Sequence, residues 1–219
     1  MKKLFLALLL SLTGCFLPAR DPTVTMHGDS SFLPQERECL QDSANKWSEQ
    51  TSGLVDIKLD WDYDAKDPVS VVKHLPTNRL ERWTSTTPEV QMYNDEGLIV
   101  LGLVKGKGIK DEFRRPIRMY MVMDRLQDPH DCRLTGIHEF GHVLGLPHIE
   151  GPGMEGAIMY PYTIHERSAC LKKEDLMLFC FVNDCGKVQM KPCEDDHLPS
   201  LFPEHVPGDG ETFGPFVRM

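Results

Sequence analysis

Long apolar runs are missing from this chain. The stretch from Leu4 to Leu12, behind Lys2 and Lys3, is far short of the roughly 20 residues that a membrane-spanning helix needs. A basic stripe is missing too. The 24 Lys and Arg face 33 Asp and Glu, for a formal net charge of −9, and this argues against a nucleic-acid partner. No two cysteines stand in a C-x-x-C pair, which leaves little support for a metal site built of thiolates. No internal repeat is visible. The 219 residues suffice for one domain with a sizeable core and do not require two.

What is present begins with a targeting segment. A charged start and a short apolar run lead into Leu12-Thr13-Gly14-Cys15, which resembles the bacterial lipobox, in which the cysteine takes up lipid and becomes the first mature residue. Phe16 rather than Asp follows, which in lipoproteins of enterobacterial type implies sorting to the outer membrane. Residues 1–14 are therefore expected to be a lipoprotein signal peptide and 15–22 a tether, with attachment to the membrane through the lipid alone at the bacterial cell envelope. Ordinary cleavage near Ala19, giving a soluble secreted protein, is the alternative. Setting Cys15 aside leaves Cys39, Cys132, Cys170, Cys180, Cys185 and Cys193. Six cysteines in an exported chain suggest disulfides, for which about 15 pairings exist; four of them crowd into residues 170–193, so at least one local bridge is expected there.

The densest chemistry lies in His138-Glu139-Phe140-Gly141-His142-Val143-Leu144-Gly145-Leu146-Pro147-His148, which reads H-E-x-x-H-x-x-G-x-x-H. On a helix, His138 and His142 are one turn apart on the same face, and two neutral imidazoles so placed can bind one zinc ion. Gly145 suits the point where the helix stops and turns, Pro147 keeps it from restarting, and the turn can bring His148 back as a third ligand. Three protein ligands and an open position for water describe a catalytic zinc site. Glu139 lies beside the first ligand, where it can act as general base.

Around this stretch the elements read as follows. Val24 to His27 is a short strand, and Pro34 to Gln50 a helix with Cys39, Leu40, Ala44 and Trp47 at helical spacing, ended by Thr51-Ser52-Gly53. Leu54 to Trp61 alternates as a half-buried strand does. Asp60-x-Asp62-x-Asp64 has the beginning of a calcium loop, but Ala65 and Val71 stand where Gly and Glu are needed; a solvated acidic loop is expected and calcium is left unsupported. In residues 65–95, with Pro68, Pro76 and Pro88, Val71 and Val72 are assigned to a short helix and Leu80 to Trp83 to a strand. Leu98 to Val104 and Arg118 to Met123 are strands by composition, with Lys105 and Lys107 able to guard an exposed edge. The zinc helix is expected to start between Asp131 and Thr135 and to end at Gly145, and a final helix to run from about Lys172 to Phe181. Residues 194–219 read as an irregular tail.

The zinc stretch together with Ala157-Ile158-Met159-Tyr160-Pro161 resembles the metzincin metallopeptidases, and among them the matrixin-like members, whose extended zinc motif is followed by a Met-turn. Ala44-x-x-Trp47-Ser48, Val100-Leu101-Gly102, Asp124-Arg125-Leu126 and Leu171-x-x-x-Asp175-Leu176 carry the likeness over roughly residues 23–185. The resemblance implies an α/β (α+β) zincin-like fold: a twisted, mostly parallel five-stranded sheet, the zinc-binding helix, the Met-turn as an apolar floor, and a small C-terminal helical subdomain. The catalytic domain would span 23–193. It implies one catalytic Zn2+ on His138, His142 and His148, Glu139 as base, and hydrolysis of peptide bonds in a protein or peptide substrate that pairs with the edge strand near Leu98 to Leu103. Tyr160, Pro161 and Tyr162 would wall a pocket beside the zinc. Astacin-like members place a tyrosine ligand where Pro161 stands here, so no such ligand is expected. No upstream segment resembles a propeptide with an inhibitory cysteine, so the chain should be active once folded or be restrained by a partner. It is expected to act as a monomer. Two further readings stay open: a non-proteolytic binding lipoprotein of the same fold, and a zinc amidase or deacylase acting on cell-wall material.

Overall fold

The structure, a computed structural model, describes residues 23–61, 70–75, 99–105, 116–163, 167–183, 185, 190–193 and 217–218. The leader, the tether and Cys15, the aspartates at 62 and 64, the strand expected at Leu80 to Trp83, and Leu98 lie outside the described residues. Among the described residues no helix is long and apolar enough to cross a membrane.

Strand β1 (Thr23–Gly28) pairs in parallel with β2 (Asp56–Asp60), and helix α1 (Pro34–Gln50) makes the crossover that two sequential parallel strands require. Pro34 opens α1, and Glu36 reaches back to the Leu33 N–H at 2.7 Å, filling one of the free donors of the first turn. The helix buries Cys39, Leu40, Ala44 and Trp47 on one face, at the spacing the sequence shows. Strand β3 (Val71–His74) pairs with β1 on one side and with β6 (Arg118–Met121) on the other, both in parallel. Val71 and Val72 are therefore in a strand and not in the expected short helix. Their β-branched side chains suit a pleated surface, and the partners that hold the strand come from distant sequence, so no local period marks it.

The chain from 99 to 105 is not one strand but two. Strand β4 (Ile99–Val100) and β5 (Gly102–Lys105) are separated at Leu101, and β5 runs antiparallel to β6 at the sheet edge. The five-stranded order is β2-β1-β3-β6-β5, mostly parallel, as the resemblance implies. Central β6 is buried on both faces at Met119, Tyr120 and Met121, which is why it reads as a nearly continuous apolar run. A 3-10 turn at Met123–Arg125 leads to helix α2 (Pro129–Val143), and a last helix, α3 (Lys173–Asn183), follows strand β7 (Tyr162–Thr163). A second, three-stranded sheet has the order β4-β8-β7, with β8 formed by Val217–Arg218. Of the tail read as irregular, these two residues are described, and they are paired on both sides.

The core lies between the five-stranded sheet and the helices. Trp47, fully buried, donates its indole N–H to the Ile137 carbonyl at 2.9 Å and so joins α1 to α2. Gln50, 6% exposed, joins α1 to the C-terminal part: its side chain accepts from Leu171 N at 2.9 Å and donates to Leu171 O and Lys191 O, each at 3.1 Å. The bridges are Cys39–Cys132, Cys170–Cys193 and Cys180–Cys185, so all six candidate cysteines are used as disulfides and two of the three are local.

Candidate metal centre

Helix α2 starts at Pro129, earlier than expected. Asp128 caps it, its carboxylate accepting from His130 N at 2.7 Å, and Pro129 fits the first helical position, where no N–H is needed. The end is built by glycine. Gly145 sits at φ 87, its N–H bonds to His142 O at 2.9 Å, and Leu146 N bonds to Gly141 O at 3.0 Å. This paired closure with a left-handed residue is the Schellman arrangement, and it turns the chain back sharply. Pro147 and His148 follow on the returning segment.

The turn brings three imidazoles to one point. His142 Nε2 is 3.1 Å and His138 Nε2 3.3 Å from His148 Nε2. The outer nitrogens of the two helical histidines are already committed: His138 Nδ1 lies 2.7 Å from the Ile158 carbonyl and His142 Nδ1 2.7 Å from the Leu146 carbonyl. A carbonyl only accepts, so each Nδ1 carries the proton and each Nε2 presents a bare lone pair. Lone pairs facing one another at such distances repel unless a cation lies between them. The donor set of three imidazole nitrogens, each within 4.8 Å of the others, fits zinc. Burial above all, and then the neighbouring His142 and His148, holds His138 well below the usual histidine range; burial likewise lowers His142. Both effects keep the ligands neutral and ready for metal.

Glu139 is 1% exposed, and neither carboxylate oxygen has a protein hydrogen-bond partner. Burial pushes its carboxyl up to about 8. A buried carboxyl with no partner is costly and needs a reason; a water at the metal that both the zinc and the carboxylate share would supply it. The wall above Glu139 is Gly102. A Cβ there would lie 2.5 Å from Glu139 Oε1 and 2.6 Å from its Cγ, so only glycine lets the strand cross the carboxylate this closely.

Beneath the histidines, Ala157, Ile158 and Met159 are buried, and Ile149 N bonds to Met159 O at 2.8 Å, tying the His148 segment to the turn. Met159 Sδ occupies the space that a Cβ on Gly141 would need, directly before His142 on the helix. The turn is held from α3 by Asp175, whose carboxylate accepts from Ile158 N and Met159 N, each at 2.9 Å, and from Lys172 N at 2.8 Å. Burial raises the Asp175 carboxyl, against the pull of these three N–H groups and of Arg167. Arg167, 5% exposed, donates to Tyr162 O at 2.6 Å and to Ile158 O at 3.4 Å, so one guanidinium touches both the turn and β7; burial lowers it to about 10. Of the expected pocket residues, Pro161 is buried, while Tyr160 and Tyr162 are half-buried with ring centroids 5.6 Å apart. The positions of Asp175, Arg167 and Gly102 are not legible as site residues in the sequence; only the Leu171-x-x-x-Asp175 spacing hinted at the first.

The family model of the matrixins matches residues 26–178, from within β1 to within α3. The chain belongs to the matrixin family. Matrixins are zinc metallopeptidases of metzincin fold, and this matrixin has the three-histidine site that such chemistry needs. Among solved structures, archaemetzincin from Methanopyrus kandleri is similar at 16% identity and a TM-score of 0.44, over 73% of this chain and 94% of that one. None of the curated proteins compared matches the sequence.

Proposed function

We propose that this matrixin is a zinc-dependent endopeptidase, exported and held at the bacterial cell envelope by a lipid on Cys15, that cuts proteins or peptides. The convergence of the Nε2 atoms of His138, His142 and His148 beside the unpartnered carboxylate of Glu139 carries this reading. His138, His142 and His148 would hold the ion. When bound, zinc lowers the pKa of a water toward about 7 and polarises a carbonyl. A cation on the histidines would favour the ionised form of Glu139, which would take the proton of the attacking water on a carboxylate oxygen and return it to the leaving amine. Its buried position excludes bulk water from that transfer. His138 and His142 stay oriented through Ile158 O and Leu146 O, and Asp175 fixes the turn that carries Ile158. The substrate adds as an extended strand between β4 and β7, which stand as two open wall edges when nothing else lies there. Tyr160, Pro161 and Tyr162 line the side next to the zinc.

The test is cleavage of an unbiased peptide library by the folded chain, with and without chelator, beside Glu139→Ala. Cleavage should vanish with chelator. Glu139→Ala should keep one equivalent of zinc while turnover falls by about 10²–10⁴. Wild-type turnover in that variant would refute the mechanism. One equivalent of zinc with no chelator-sensitive cleavage would point instead to a binding lipoprotein, and cleavage confined to cell-wall fragments to an amidase.

A further inference from the structure

Strand β8 lies where the proposed function puts the substrate strand. It is hydrogen-bonded on both edges: Val217 pairs with Ile99 and with Thr163, and Arg218 with Val100 and with Tyr162. Its two neighbours lead directly into residues that border the histidines and Glu139. Val100 stands two residues before Gly102, which presses on the Glu139 carboxylate, a distance of about 7 Å along an extended chain. On the other side, Tyr162 follows Met159 by three residues, and its carbonyl is held by Arg167, which also touches the turn under His138. Because β8 runs parallel to β4 and antiparallel to β7, both ladders are satisfied at once, and the second sheet exists only by virtue of β8.

We propose that the groove between β4 and β7 is a binding site for this chain's own segment around Val217–Arg218, which competes there with substrate and keeps the enzyme restrained until it is displaced. The proposal rests on the reading of that groove as the substrate groove. A partner is thus not the only source of restraint, since the chain itself carries a strand for the position. The segment belongs to the same chain as the groove, and Cys193 before it is bridged to Cys170, just ahead of α3. A tethered strand competes at an effective concentration on the order of mM, far above that of most free peptides, so weak pairing suffices for high occupancy. Two strand residues give few hydrogen bonds, so the restraint is reversible, and a long substrate with more pairs displaces it. Competition of this kind raises KM and leaves kcat alone.

The experiment compares the zinc-loaded full chain, a chain ending at Cys193, and full-length Val217→Pro. Proline at 217 removes an N–H from the ladder without shortening the chain. On one fluorogenic peptide, the apparent KM should fall at least fivefold in both variants, with kcat within twofold. A synthetic peptide of residues 212–219, added to the shortened chain, should restore the high KM competitively. Hydrogen exchange at residues 99–100 and 162–163, which needs no turnover, should speed up at least tenfold in both variants. A chain that never cleaves peptides yet shows this loss of protection would overturn the proposed activity and keep the strand. Unchanged KM and unchanged exchange in Val217→Pro would overturn the strand while leaving the peptidase intact. An apparent KM that rises with enzyme concentration would overturn the placement within one chain in favour of exchange between two.

Discussion

At the scale of the residue, Glu139 is buried as a carboxyl with no protein hydrogen-bond partner. Its carboxyl is at about 8 in the fold without metal, against an ordinary value of 4.5, because burial removes water from the charge. The folded state therefore keeps a proton that the unfolded chain loses above about pH 4.5. The stability this gives is fully present below that pH and is lost as the pH climbs to about 8, after which it no longer changes. Glutamine at 139 stays neutral throughout. The metal-free Glu139→Gln variant should thus gain on metal-free wild type by up to about 1.4 kcal/mol per pH unit between those limits, with about 5 kcal/mol as the ceiling. Urea unfolding in the presence of chelator at pH 5, 6, 7 and 8 measures the difference. A gap that stayed constant across this range would show that Glu139 is not desolvated as the geometry has it. His138 and His142 titrate in the opposite sense, since burial lowers them, but they are common to both proteins and drop out of the comparison.

At the scale of the element, α2 and the Met-turn are fitted to each other through Gly141. Alanine in a helix interior is better than glycine by about 1 kcal/mol, so propensity alone favours Gly141→Ala. Packing opposes it. The new Cβ would overlap Met159 Sδ and lie 3.1 Å from Trp47 Cζ2, and both side chains are fully buried. Overpacking of this kind costs about 1–3 kcal/mol and has to be relieved by moving the turn under the ligands. A net loss of about 1–2 kcal/mol is expected, read as a fall of about 2–8 °C in Tm, with weaker zinc retention against a chelator series. Gly156→Ala has open space around it and serves as the control, within about 0.5 kcal/mol of wild type. A Gly141→Ala protein more stable than wild type would mean that propensity wins and that the turn has slack. The same pair of elements shows what was legible in the sequence. Three ligands, the base and the helix stop lie within eleven consecutive residues, so local spacing announces them. Met159 was legible through its neighbours. Asp175 and Arg167 act on the turn from outside the motif, and Gly102 meets Glu139 from another layer, so no spacing in the chain connects them. The start of α2 was placed late because Asp128-Pro129 reads as loop until the cap to His130 N is seen. Strand β3 was missed for the related reason that its ladders are made with β1 and β6, far away in sequence.

At the scale of the whole molecule, the three bridges divide the work unequally. Cys39–Cys132 joins α1 to α2 across a sequence separation of 93, whereas Cys180–Cys185 spans only 5 at the end of α3. Closing a long loop removes more freedom from the unfolded chain: about 4–5 kcal/mol for the first bridge and about 2 for the second in the chain-entropy account. The long bridge also fastens the first turn of the zinc helix, opposite the end that Gly145 closes. Its loss therefore frees the first turn of α2, with the rest of the helix still held through the Trp47–Ile137 contact, while loss of the short bridge frees only the rim of α3. The Cys39→Ala/Cys132→Ala protein should unfold at least about 2 kcal/mol more easily than the Cys180→Ala/Cys185→Ala protein, measured by denaturant titration of the zinc-loaded forms. Near 25 °C both should cleave at rates within about twofold of wild type, because the ligands and Glu139 are fixed by contacts that neither pair touches. On heating, the first should lose activity well before the second. If the short bridge mattered as much as the long one, loop entropy would not be what these disulfides contribute, and the C-terminal helix would have to be a larger part of the folding unit than its contacts through Phe179 and Asp175 indicate.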